Sequence, residues 1–150
     1  EAEVLAEKST IILHLANYRN VYGGQYRALG KASSPNDANE IKIDTYYDAK
    51  SVGQNTISIP GPINGMWVNL TVNNGEVNVS AAEGSEHYNI KGVDGKSKYE
   101  GEFSEKYQRN KGDFALSFTY EIQKEIKQDD GSSTTIVWVY TVEETLKFWL

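Results

Sequence analysis

From Phe114 to Gln123 the side chains alternate without a break. Phe114, Leu116, Phe118, Tyr120 and Ile122 share one parity, and Ala115, Ser117, Thr119, Glu121 and Gln123 the other. A period of two belongs to a β-strand, whose successive side chains point to opposite faces, and it requires that one face be covered. The same period returns in Ile41, Ile43, Thr45 and Tyr47 against Lys42, Asp44 and Tyr46. Met66, Val68, Leu70 and Val72 alternate with Trp67, Asn69, Thr71 and Asn73, and Val77 and Val79 continue the pattern. It runs on through Tyr88 and Ile90, through Tyr99, Gly101 and Phe103, and through a last strand opened by Ile136, Trp138, Tyr140 and Val142. The glutamates and lysines of residues 121–128 therefore belong to a solvent-facing strand and not to a helix.

Turn chemistry separates these runs. Asn74-Gly75 supplies the two positive-φ residues of a type I′ turn and predicts a hairpin. Asp94-Gly95 predicts a second hairpin, and Asp129-Asp130-Gly131-Ser132-Ser133 is a polar turn. Gly23-Gly24 interrupts the alternation, and Gly30, Ser33, Ser34 and Pro35 mark residues 29–39 as a loop. About eight strands with short connections predict an all-β, antiparallel barrel or strongly twisted sandwich with at most one short helix, and exclude a βαβ fold. A chain of 150 residues can bury one adequate core, so one main domain is expected. Residues 1–8 hold good helix formers. Ile11-Ile12-Leu13, within residues 9–18, fits either a strand or a turn of helix.

Charge and composition narrow the function classes. The formal charge of −6 repels phosphate backbones and anionic lipid, which argues against nucleic-acid partners. There is no cysteine, so disulfides and thiolate chemistry are excluded. No apolar run is long enough for a membrane-spanning helix, and the acidic start Glu1-Ala2-Glu3 is unlike a signal peptide.

From Val21 onward the chain resembles the lipocalin-like C-terminal domain of Bacteroidetes surface lipoproteins associated with polysaccharide utilisation, a family of unknown function. Asn20-Val21-Tyr22-Gly23-Gly24-Gln25-Tyr26 is similar to that family's Asn-x-Tyr-x-Gly-x-Tyr opening, and residues 30–35 follow it. Trp67-Val68-Asn69-Leu70-Thr71-Val72-Asn73, residues 112–120 and Tyr140-Thr141-Val142-Glu143-Glu144-Thr145-Leu146 carry the rest. The resemblance implies a calycin-type barrel over residues 20–150. It also implies that residues 1–19 are a strand or linker closing an upstream immunoglobulin-like domain. The parent would be exported and lipid-anchored at the cell surface, with a polysaccharide or oligosaccharide as the expected partner. It implies no catalytic residue and no cofactor. Residues 126–135 depart from the family in a longer acidic turn.

No enzyme motif stands out. Gly-x-Ser-x-Gly is missing, and Gly23-Gly24 lacks the helix and lysine of a phosphate cradle. His14 and His87 are too isolated for an ordinary zinc site, and Asp44, Asp48, Asp129 and Asp130 lack the spacing of a calcium loop. A glycosidase pair meets in space, so spacing leaves it open. Glu144 falls on the apolar parity of the last strand and predicts a buried carboxylate paired with Arg27, the natural candidate, or another donor, unless a bulge at Glu143-Glu144 or a rim position turns it outward. Ten tyrosines and three tryptophans give many amphipathic rings suited to sugar faces or wet interfaces. Trp67, Tyr46 and Trp149 lie on polar parities, which makes Trp67 and Tyr46 the expected contact pair; ordinary surface aromatics are the plainer account. The reading is a non-catalytic glycan-related module. A ligand-free spacer and a carrier of a small apolar molecule are the alternatives.

Overall fold

The alternating segments close on one another into a barrel-like ring. A computed structural model describes residues 19–149, and among them it holds nine strands. These are β1 (Gly24–Ser33), β2 (Ile41–Ser51), β3 (Thr56–Pro60), β4 (Trp67–Asn73), β5 (Glu76–Ala81), β6 (Lys91–Gly92), β7 (Lys98–Ser104), β8 (Arg109–Lys127) and β9 (Ser133–Phe148). One 3-10 turn, Glu86–Tyr88, is the helical element among them. All pairings are antiparallel, in the order β6-β8-β7-β5-β4-β3-β2-β1-β9, and β8 pairs with β9 to complete the circuit.

Period two decides what lies inside. Tyr26, Ile57, Ile59, Leu70, Phe114, Phe118, Tyr120, Val142 and Leu146 come from strands all round the ring and are essentially inaccessible to solvent. Tyr120 and Tyr140 stack at 5.1 Å, and Tyr26 meets Phe114 edge-on at 5.5 Å. Aromatic side chains thus fill the interior, as a small barrel requires.

Three stretches differ from the sequence expectation, and the first is Tyr88–Ile90, which is not strand but the end of the 3-10 turn followed by Asn89 at φ of 48°. Residues 29–33 are strand and not loop, because β1 runs through Gly30 to Ser33, paired with β2 and β9. Gly30 is there for closeness: a Cβ would collide with the Glu143 carbonyl oxygen and with Cα and Cβ of Glu144. Asp94-Gly95 makes a turn without a hairpin. Strands β6 and β7 do not pair with each other; both lie in succession against β8, at Lys91–Thr119 and from Lys98–Ala115 onward. Ser97 bridges the break, its hydroxyl accepting from Ser117 N at 3.0 Å and donating to Ser117 O at 3.2 Å. The Asn74-Gly75 turn has the expected backbone, with φ of 52° and 81°.

Asn20 fastens one end of the barrel. Its amide nitrogen donates to the carbonyls of Gly53 and Thr56 at 2.8 Å, and its side-chain oxygen accepts from Tyr22 and Gly23 at 2.9 Å. The β7–β8 turn joins the same end, where Asn110 N donates to Val21 O at 2.7 Å. The expectations placed on residues 1–18, including His14, lie outside the described residues.

Candidate functional site

Across the outer face of β2 to β5 the register lines up one polar residue per strand. Lys50 lies opposite Ser58, Ser58 opposite Asn69, and Asn69 opposite Ser80. Beside this row Thr56 and Thr71 share a hydroxyl–hydroxyl hydrogen bond of 2.8 Å. Trp67 stands at the start of β4, its backbone N–H donating to the Ser85 hydroxyl at 2.9 Å. The Lys50 ammonium sits 4.8 Å from the centre of the indole ring. With Val52, Ala82 and Glu83 these groups line a groove of about 570 Å³. Hydroxyls and an amide thus form its floor, with a flat half-buried ring at one side. Such a surface offers both hydrogen bonds and an apolar face to a flat polar ligand.

Tyr46 is elsewhere on the outside. It is exposed and packs edge-on against Trp149 at 5.2 Å, with the Arg27 guanidinium 4.8 Å from its ring. Arg27 pairs there with Asp44. Trp67 and Tyr46 therefore stand apart on the outer surface, Trp67 beside Lys50 and Tyr46 beside Trp149. Strand β2 joins β3 only at Lys50 and Ser51, so Tyr46 lies beyond the paired stretch that carries Trp67.

The structure corrects the expected Glu144–Arg27 pair. Glu144 does point inward and is buried, between Gly30 of β1 and Leu116 of β8. Arg27 has the opposite parity on β1, so it faces outward and is neutralised by Asp44 instead. Glu144 meets a phenol: the Tyr47 hydroxyl donates to its carboxylate, while Oε2 has no hydrogen-bond partner among the described residues. Burial pushes the Glu144 carboxyl up to about 8, against a smaller lowering by the Tyr47 bond. Burial raises the Tyr47 phenol as well, and the nearby carboxylate adds to that.

The buried cation of the barrel is one that the alternation of the sequence does not reveal. Arg109 is 1% exposed, with its guanidinium 4.5 Å from the Phe148 ring centre and 5.2 Å from that of Tyr26. It opens β8 directly after Gln108, which has φ of 53°. No alternation marks such a position. Desolvation lowers the pKa of Arg109 and raises that of Tyr26.

The remaining candidates are surface groups. His87 is exposed with its ring 4.0 Å from Tyr88, and Asp129 and Asp130 occupy the exposed β8–β9 turn. Asp130 accepts from the Ser132 N–H and hydroxyl at 2.9 and 2.6 Å, an internal turn contact. No cluster of three or more metal-ligating side chains occurs among the described residues.

No protein-family model matches the chain, and no curated protein does. Two solved structures from Bacteroides ovatus share the fold. One, described as of unknown function, superposes with a TM-score of 0.57 at 17% identity, covering 85% of this chain and 47% of its own. The other, described as a multidomain protein including DUF1735, gives a TM-score of 0.54 at 18% identity, covering 85% of this chain and 56% of its own. The chain thus spans about half the length of each, and its architecture is one found in Bacteroides proteins of unknown function.

Proposed function

We propose that this domain is a non-catalytic, glycan-related binding module of an exported surface lipoprotein, and that the Trp67 groove is its contact surface. The observation that carries this reading is the polar row Lys50–Ser58–Asn69–Ser80 laid beside the Trp67 ring. A sugar presents hydroxyls around its edge and C–H groups on its face, and the groove offers a complement to both. The Tyr46–Trp149 cluster is a second platform on the same outer surface. The multidomain neighbour supports a module working within a larger protein, in keeping with the resemblance that sets an immunoglobulin-like domain ahead of residues 20–150.

The carrier alternative is disfavoured by an interior filled with Tyr26, Phe114, Phe118 and Tyr120. Titration of the protein with soluble plant and microbial polysaccharides tests the proposal. A Trp138→Phe/Trp149→Phe variant isolates the fluorescence of Trp67, which a bound saccharide should shield from acrylamide. Trp67→Ala should weaken binding roughly tenfold or more, equivalent to at least ~1.4 kcal/mol of lost contact. Folded protein that ignores every polysaccharide would overturn the proposal and leave the spacer reading.

A further inference from the structure

Strands β8 and β9 outrun the barrel. Residues 121–127 pair with residues 133–139, past the last β1 partner at Ser33–Thr141 and past the β6 partner at Lys91–Thr119. The result is a two-stranded ribbon at the end of the barrel opposite Asn20. Among the described residues, β9 has no second strand neighbour from Ser133 to Tyr140. Tyr140 marks the limit of this open edge, its hydroxyl donating to Asp37 at 2.9 Å.

The two sides of the ribbon are built differently. The β8 side carries Glu121, Lys124, Glu125 and Lys127, the kind of charges that keep strand edges from pairing with other chains. The β9 side carries none. From Ser132 to Val142 there is no charged residue, glycine or proline, and Thr134, Thr135, Ile136, Val137 and Val139 are β-branched. Val137 and Val139 are 46% and 43% exposed. An open, uncharged edge of strong β-formers is a template for another strand.

We propose that the open β9 edge is a dimerisation edge, pairing antiparallel with the same segment of a second copy. An antiparallel self-pair centred on one residue sets only that residue against its own copy and every other against its mirror position, and with no charge from Ser132 to Val142 no position in it opposes a charge. Two copies of a chain carrying −6 repel, and a charge-free segment is where they can meet. Centred on Val137, the pairing sets Ile136 against Trp138 and Thr135 against Val139, β-branched and aromatic neighbours of the favourable kind. Docking at the ribbon leaves the Asn20 end uncovered.

Sedimentation of the full chain over a wide concentration range tests this. The expected result is a monomer–dimer equilibrium, with residues 134–139 gaining amide protection as the dimer fills. Val137→Lys, at an exposed position, should raise the dimer dissociation constant roughly tenfold or more while leaving the circular dichroism spectrum intact. Thr135→Lys gives a second reading on the same face. Asn78→Lys, which makes the same charge change on β5, should have no effect. A chain that stays monomeric, a dimer that both ribbon lysines leave intact, or equal weakening by Asn78→Lys would each overturn the proposal. So would full protection of residues 134–139 in dilute monomer, since the edge would then be covered within one chain.

Discussion

Glu144 sits where the alternation of β9 demands an apolar side chain, and its pKa makes that conflict measurable. The ordinary carboxyl value is 4.5 and the folded one about 8, so the folded state prefers the protonated acid. Below pH 4.5 both states are protonated and the carboxyl adds no penalty. Above it the unfolded chain ionises first, and stability falls as pH rises from about 4.5 to about 8. The loss amounts to roughly 3 kcal/mol at pH 7 and roughly 5 kcal/mol above pH 8, at ~1.4 kcal/mol per unit. Glu144→Gln keeps the shape and an acceptor for Tyr47 and removes the ionisation. Its urea midpoint should lie near the parent's at about pH 5 and well above it at about pH 8; parallel pH profiles would show a solvated carboxylate. Had Arg27 been the partner, the substitution would have left a buried cation and destabilised the fold. Gly30, across the ladder from Glu144, makes the converse prediction. Gly30→Ala drives a methyl into the Glu143 backbone, which no rotamer change can relieve. It should cost about 1–3 kcal/mol or more, seen as a lowered melting temperature.

Strands with a continuous period of two are legible in the amino-acid order itself, and β4, β5 and β8 lie where Met66–Val72, Val77–Val79 and Phe114–Ile122 alternate. Two of the failures share a cause. Gly30 and Asp94-Gly95 have the chemistry of loops and turns, yet their roles are set by strands far away in sequence: β9 presses on Gly30, and β8 takes both β6 and β7. The side of Arg27 was readable, since Tyr26 and Ala28 flank it on β1 as inward residues, whereas Arg109 is buried on the parity opposite to Phe114, so alternation carried back along β8 would turn it outward. Likewise the parity of Trp67 places it outside, but the row of Lys50, Ser58, Asn69 and Ser80 exists only once register is known. The β6–β7 junction gives a test at this scale. Ser97 is 3% exposed and closes a gap in the ladder that β8 offers. Ser97→Ala would strand the Ser117 N–H and cost about 1–3 kcal/mol. Thermal denaturation measures it, and an unchanged midpoint would mean the gap is solvated.

The ring as a whole is unevenly sewn. Strands β2, β1, β9, β8 and β7 are joined by long ladders, and β3, β4 and β5 by a ladder of their own. The two parts meet at Lys50–Ser58 and Ser51–Ile57 on one side and at Glu76–Lys98 on the other. Elsewhere these seams depend on packing, with Ile57, Ile59, Val68 and Leu70 pressed into the shared core. Backbone hydrogen bonds of β3 to β5 should therefore open at lower free energy than those of β8 and β9 within the barrel, because separating the smaller sheet breaks few ladder bonds. Native-state hydrogen exchange checks this: residues 56–60, 67–73 and 76–81 should exchange as one group ahead of residues 114–120 and 140–146. Uniform protection would mean that the barrel opens as one cooperative unit. The uneven sewing also bears on the groove, which spans a seam, with Lys50 on one side and Ser58, Trp67 and Asn69 on the other. A ligand lying across that row should slow exchange throughout β3 to β5, beyond the amides it touches, since it ties the smaller sheet to the larger one. Slowing confined to the residues around Trp67 would show that the seam is already closed without it.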